Sequence, residues 1–235
     1  MNRKGKIHEA IMTAFPYTVP VMAGYLFLGM TYGIFARASG LGAIFPVGMS
    51  AVVFAGSAEF LMVSLLREAF DPVKVFFVIF LLNARHLFYG ISMLEKYKGT
   101  GFKKWYLIFG LTDETFSVVY TAQPPAQTDR GWFMFFITLL DHSYWMLGAA
   151  CGALFGSIIR FNTEGLDFVM TAMFTVILIN QWQKVENRAS VLIGVGASVL
   201  CLVLLGAEDF LLPAMALMLL LLTLLRKRLS GEVAA

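Results

Sequence analysis

The feature that most constrains this chain is a succession of long apolar runs with almost nothing between them. A helix needs about 20 mostly apolar residues to cross a bilayer, with a working range of about 17–25. Eight such segments can be drawn, at 16–36, 45–66, 73–94, 105–121, 131–158, 166–182, 189–206 and 209–225. They consume nearly the whole of the 235 residues. Hydrophobic residues reach 59% and charged residues only 14%, against about 45–50% and about 25% in soluble domains. Mean hydropathy is +0.76. This composition excludes a disordered chain, a nucleic-acid module and a disulfide scaffold. No segment alternates as an outer-membrane strand does, so helices are the spanning solution. The expected fold is all-α, a polytopic membrane bundle of 7–8 transmembrane segments with discontinuous helices.

The connections are short. The longest polar ones are 95–104 and 122–130, and Pro124-Pro125 marks the midpoint. The start, MNRKGKIHEAIMTAF, reads as a basic, partly amphipathic arm and not as a cleaved signal. Cys151 and Cys201 sit inside apolar runs and read as buried small side chains. No metal-ligand spacing or cofactor motif is present. Gly29, Gly33, Arg37, Gly42 and Phe45 align with Gly152, Gly156, Arg160, Gly165 and Phe168 at an offset of 123. That echo suggests one transporter domain over 1–235 with a two-fold repeat, its halves roughly 10–121 and 131–225.

Charge places the ends less firmly. Eight crossings with the N-terminus inside put 11 Lys/Arg inside and 6 outside. Seven crossings with the N-terminus outside, and 105–121 dipping in without crossing, give the same 11 to 6. The repeat is parallel in the first case and inverted in the second.

An ionisable group at the bilayer centre costs about 2.5–3.5 kcal/mol on the insertion scale. Such groups belong in loops, yet several stand at mid-segment. Ser57 and Glu59 lie near the middle of 45–66, beside Gly56 as a possible helix break. Asn83, Arg85 and His86 occupy the middle of 73–94, Asp113 and Glu114 that of 105–121, and Asp141 and His142 that of 131–158. On continuous helices, Asn83, His86 and Gly90 would share one face, as would Gly110, Asp113, Ser117 and Tyr120, and Asp141, Trp145, Gly148 and Gly152. Gly148, Gly152 and Gly156 form a small-residue stripe that admits a close helix neighbour.

With neutral histidines, four carboxylates against Arg85 leave this depth at −3. Low dielectric does not sustain that excess, so a carboxyl is protonated, a histidine is charged, or a cation binds. Arg85 offers a planar fork for a carboxylate.

The motifs FAGSAEF (54–60), NARHLFYG (83–90), LTDETFSV (111–118), LLDHSYWMLG (139–148) and EGLDFVMTAMF (164–174) resemble the AzlC family, in order and over about residues 10–225. The resemblance implies the large subunit of a bacterial two-component exporter of branched-chain amino acids in the cytoplasmic membrane, with a small AzlD-type membrane partner. Two positions depart from the family pattern. Glu59 stands where FAGSA is usually followed by Gln-Phe, and Thr171 stands where a proline often follows LDF.

The expected function is therefore proton-coupled export of neutral, hydrophobic amino acids. Arg85 or a helix N-terminus would hold the ligand carboxylate, and Asp113 or Asp141 the amine or the proton. Glu59 and His142 would be secondary proton carriers, and Asn83 and Ser57 neutral hydrogen-bonding groups. The alternative cargo is a cationic or hydrophobic toxic compound. An aspartyl-type intramembrane enzyme is the remote alternative, since neither H-E-x-x-H nor G-x-S-x-G occurs. A purely scaffolding subunit would not need ionisable groups at one depth in four segments.

Overall fold

A computed structural model describes residues 3–67, 71–158, 171, 175, 178–179, 182–183 and 188–231. The motif at 164–174, apart from Thr171, and the repeat partners Arg160, Gly165 and Phe168 lie outside the described residues. All regular structure among the described residues is helical. The helices are α1 (Arg3–Ala38), α2 (Ile44–Val52), α3 (Gly56–Leu65), α4 (Pro72–Asn83), α5 (Arg85–Met93), α6 (Lys103–Phe109), α7 (Asp113–Thr121), α8 (Arg130–Ile158), α9 (Arg188–Asp209) and α10 (Leu211–Gly231). The chain forms two compact units, one of residues 1–71 with 82–166 and the other of 72–81 with 167–235.

Two described helices are both long and apolar enough to cross a membrane, Gly5–Ala38 within α1 and Arg188–Gly206 within α9. Pro72–Asn83 and Arg85–Met93 qualify when taken together as one broken span. Many large apolar side chains face outward, among them Phe27 (71% exposed), Leu154 (62%) and Val203 (77%). In water such exposure would be costly; against lipid it is neutral.

In the first unit α1 packs along α8 through glycines on both helices. A Cβ on Gly33 would sit 2.3 Å from the Ala149 carbonyl oxygen, and one on Gly152 would sit 2.0 Å from the Met30 carbonyl oxygen. A Cβ on Gly29 or on Gly148 would also clash, at 2.8 Å from the carbonyl oxygens of Trp145 and Leu26 respectively. The stripe on α8 therefore meets a second stripe on α1, backbone against backbone. Tyr25, Tyr32 and Trp145 fill the flank of this contact. Tyr25 meets Trp145 edge-on at 5.5 Å, and Tyr32 stacks on it at 6.2 Å.

Three of the sequence segments are not continuous helices. Segment 45–66 is α2 and α3, separated at Val53–Ala55, where Phe54 takes φ +44°. Segment 73–94 breaks at Ala84, and segment 105–121 breaks at Gly110–Thr112. The expected shared faces across Asn83–Gly90 and across Gly110–Tyr120 are thus corrected, because the residues before and after each break belong to different helices. Helices α6 and α7 are about 10 and 13 Å long, well short of a hydrocarbon core of about 30 Å. They also return on themselves. The Lys96 Nζ donates to the Val119 carbonyl at 3.3 Å and to that of Tyr120. A cavity of about 580 Å³ is lined by Lys96, by Lys103 at the start of α6, by Val119 and Ala122 at the end of α7, and by Arg130 at the start of α8. Partial burial and the Arg130 charge push the Lys96 ammonium pKa down.

The glycine contact predicts a paired outcome. Gly152→Ala should cost about 1–3 kcal/mol, the usual penalty for overpacking. Gly24→Ala, on the open side of α1 with nothing within 4 Å of the added carbon, should be neutral or mildly stabilising. Thermal melts of the two variants in detergent, each against the wild type, check the contrast.

Candidate functional site

All nine of the polar residues singled out from the sequence lie in the first unit. The first turns of three helices bring three of them together. The Arg85 Nη1 pairs with the Asp113 Oδ2 at 2.8 Å, and the Arg85 Nη2 donates to the Ser57 Oγ at 3.3 Å. Arg85 opens α5, Asp113 opens α7, and Ser57 is the second residue of α3. Helices α3 and α7 start abruptly, after Ala55 and after an extended Thr112. Their first-turn N–H groups and dipoles carry partial positive charge at this spot. Both side chains of the ion pair remain 36% exposed. The Arg85 Nε, the Asp113 Oδ1 and the Asn83 Oδ1 have no hydrogen-bond partner among the described residues. The His86 Nδ1 lies 3.1 Å from the Asn83 carbonyl oxygen and donates to it, since a carbonyl only accepts.

Glu59 does not join this group. It is fully buried, and its partners surround the helix break. The Glu59 Oε1 accepts from the Ala55 N–H and the Trp145 Nε1–H, each at 3.0 Å. Its Oε2 lies 3.1 Å from the Ser50 Oγ. Ser50 has one hydrogen and also sits 2.7 Å from the Pro46 carbonyl oxygen, which can only accept. The shorter contact competes for that hydrogen, and a proton on Glu59 would let the carboxyl donate to Ser50 instead. A neutral carboxyl also fits a site where no cation faces Glu59 among the described residues, since an unpaired buried charge is expensive. Protonated Glu59 then presents two accepting contacts and one donating contact, the pattern of a glutamine amide. This accounts physically for Glu59 standing where the family resemblance expects Gln.

His142 is held from both sides. Its Nε2 donates to the Ser50 carbonyl at 3.0 Å, which leaves Nδ1 to accept from the Tyr106 hydroxyl at 2.8 Å. The neutral ring satisfies both contacts. Phe54 stacks on it at 4.4 Å. That stack, with the edge-on contact of Phe54 to Tyr25 at 6.2 Å, holds the left-handed Phe54 in place.

Glu114 and Asp141 meet neither Arg85 nor each other directly; hydroxyls stand between them. Tyr25 reaches the Glu114 Oε2 at 2.8 Å and the Thr112 Oγ1 at 2.7 Å. Thr112 reaches Thr115 at 3.0 Å, and Thr115 reaches the Asp141 Oδ2 at 2.9 Å. Asp141 is fully buried. Tyr25, Thr112, Thr115, Ser50 and Tyr106 were not singled out from the sequence. Thr112 alone carried a readable signal, a threonine directly before Asp113-Glu114 in the position of a helix N-cap. Its side chain does accept from the Thr115 N–H. Among the described residues no group of three or more His, Cys, Asp or Glu side chains is placed to hold a metal ion.

The Glu59 geometry predicts that Glu59→Gln preserves the melting temperature and shows no pH dependence attributable to this site. Glu59→Leu should lose about 1–3 kcal/mol for each buried donor left unpaired. Denaturation of both variants across pH decides it.

The AzlC protein family model matches residues 20–159. A Bacillus subtilis (strain 168) relative named "Branched-chain amino acid transport protein AzlC" is 56% identical over 98% of this chain and 91% of its own length. A Haemophilus influenzae relative named "Uncharacterized membrane protein" is 46% identical over 97% of this chain and 93% of its own. "Inner membrane protein YgaZ" of Escherichia coli K12 is 24% identical over 77% and 76%. No solved structure matches the chain. The matched region carries the glycine contact, the three helix breaks and every polar group described above, and the chain belongs to the AzlC family.

Proposed function

We propose that this chain is the large subunit of a proton-coupled exporter of branched-chain amino acids in the bacterial cytoplasmic membrane, working with a small membrane partner. The observation that carries the reading is the Arg85–Asp113 pair at the first turns of α3, α5 and α7. An α-amino acid is a zwitterion. Once opened, the pair would give the carboxylate a guanidinium Nε–H and the ammonium an Asp113 Oδ1, both of which are buried and have no hydrogen-bond partner among the described residues. Two abrupt helix starts add partial positive charge on the carboxylate side. The name of the Bacillus subtilis relative supports branched-chain cargo. A cationic cargo is less well supported than the sequence suggested. Arg85 neutralises Asp113, and Glu59 is uncharged, so the negative excess behind that reading shrinks.

The mechanism follows from this arrangement. Ligand would open the resident ion pair by taking each partner in turn, which makes substrate and ion pair mutually exclusive. Closing the pair after release neutralises Arg85 and Asp113 against each other again. Rocking of the two sequence halves against one another, along the glycine contact of α1 and α8, would expose the site alternately.

We take the chain to cross seven times with the N-terminus outside, because α6 and α7 begin and end beside the same cavity. The halves are then inverted repeats.

Two tests address these readings. In sealed vesicles containing the chain and a co-expressed small partner, wild type should release loaded labelled leucine. Arg85→Ala should abolish release without reducing membrane insertion, and Arg85→Lys should leave a small remnant, because an ammonium lacks the planar fork. Undiminished flux in Arg85→Ala would remove the zwitterion site. For topology, single cysteines at Gly99 and Gln127, in a background lacking Cys151 and Cys201, should react with an impermeant thiol reagent from one and the same side. Labelling from opposite sides would restore eight crossings.

A further inference from the structure

Four hydrogen-bond contacts run in series from Glu114 to Asp141: Glu114 to Tyr25 at 2.8 Å, Tyr25 to Thr112 at 2.7 Å, Thr112 to Thr115 at 3.0 Å and Thr115 to Asp141 at 2.9 Å. Each needs one hydrogen. The three hydroxyls supply three. The fourth has to be a carboxyl proton, because the only other groups in the series are the two acids. The Thr115 N–H, 3.3 Å from the Thr112 Oγ1, donates into the series and cannot substitute for any of the four.

With one proton on the two acids, two arrangements satisfy all contacts. With the proton on the Glu114 Oε2, Glu114 donates to Tyr25, Tyr25 to Thr112, Thr112 to Thr115, and Thr115 to a charged Asp141. With the proton on the Asp141 Oδ2, every donor reverses and Glu114 is charged. A state with both acids charged leaves one contact as oxygen against oxygen without a hydrogen. A state with both acids protonated serves the series only by placing its second proton outside it, on the Glu114 Oε1 or on the Asp141 Oδ1, which is buried and has no hydrogen-bond partner among the described residues.

We propose that Glu114, Tyr25, Thr112, Thr115 and Asp141 form a relay holding one proton, which passes between the two acids through the three hydroxyls. In one passage the Glu114 O–H bond breaks as a new Tyr25 O–H bond forms. The former Tyr25 hydrogen goes to Thr112, that of Thr112 to Thr115, and that of Thr115 to Asp141. Four O–H bonds break, four form, and nothing is oxidised or reduced. The net result is one negative charge moved from Asp141 to Glu114.

The two ends differ in their surroundings. Glu114 is faced by Asp113 and Arg85 on α7 and α5. Asp141, on α8, is faced by Glu114 and, among the described residues, by no cation. His142, next along α8, is turned away and fully engaged by Tyr106 and Ser50. Whatever changes the charge at the Arg85–Asp113 pair therefore acts on the Glu114 end first. A ligand ammonium on Asp113 adds positive charge there, favours charged Glu114 and sends the proton to Asp141. This coupling rests on the amino-acid reading of the Arg85–Asp113 pair. The one-proton count does not.

The count is tested without transport. Infrared spectra of the purified full chain, in a Glu59→Gln background that removes the other protonated carboxyl, should show the band of one buried carboxylic acid. Glu114→Gln should abolish the whole band, because the amide donates into the series and fixes Asp141 as carboxylate. Asp141→Asn should abolish it equally. Two bands lost separately, or a band that survives both substitutions, overturn the relay. The coupling is tested in vesicles with leucine release and a pH dye followed together. Tyr25→Phe and Thr115→Val should retain leucine exchange while proton movement falls by about a hundredfold, the scale of losing a positioned proton-transfer group. Thr115→Ser, which keeps the hydroxyl, should restore it. Unchanged proton movement in Tyr25→Phe and Thr115→Val overturns the coupling. Absence of leucine flux in wild type would overturn the amino-acid reading and leave the infrared result standing.

Discussion

The close approach of α1 and α8 is the constraint from which the rest of the first unit follows. In lipid there is no apolar gain when two apolar helices meet, so association depends on packing and polar contacts. Gly29 and Gly33 against Gly148 and Gly152 put no side chain of their own between the helices and let backbone approach backbone. That distance brings Tyr25 of α1 across to Thr112 and Glu114 of α7, and sets Trp145 of α8 over the start of α3. A single Cβ in the seam would move all of these partners together.

The second constraint is the cost of breaking a helix where water cannot repair it. Two of the three breaks described carry their own repair. At Val53–Ala55 the Glu59 side chain takes the exposed Ala55 N–H, and Phe54 is clasped by His142 and Tyr25. At Gly110–Thr112 the Thr112 hydroxyl caps α7. In return, the first turns of α3, α5 and α7 bring Ser57, Arg85 and Asp113 within reach of one another. Thr112 belongs both to a repaired break and to the hydroxyl series that joins Glu114 to Asp141.

How much of this was readable in the sequence differs from residue to residue. The apolar segments show as runs, and the polar residues show as interruptions near their middles, because insertion into lipid makes each interruption costly. The small-residue stripe on α8 was also readable, since spacing four is preserved on an unbroken helix. The shared faces drawn across Asn83–Gly90 and Gly110–Tyr120 were not, because periodicity presumes a continuous helix and both stretches are broken. Tyr25 carried no signal at all. A tyrosine in an aromatic-rich apolar helix looks like packing until its hydroxyl is seen between Thr112 and Glu114.

What the sequence determined by itself is the solvent and the inventory: a helical chain for a bilayer, with acids, one arginine and two histidines held within its apolar segments. Composition and segment length suffice for that, since both follow from transfer energies that act on each residue separately. Which acid pairs with Arg85, which is neutral, and which two share a proton were decided only by tertiary structure. Those properties belong to contacts between α1, α3, α5, α7 and α8. A hydrogen bond of about 3 Å depends on where two helices meet, and no single helix carries that information.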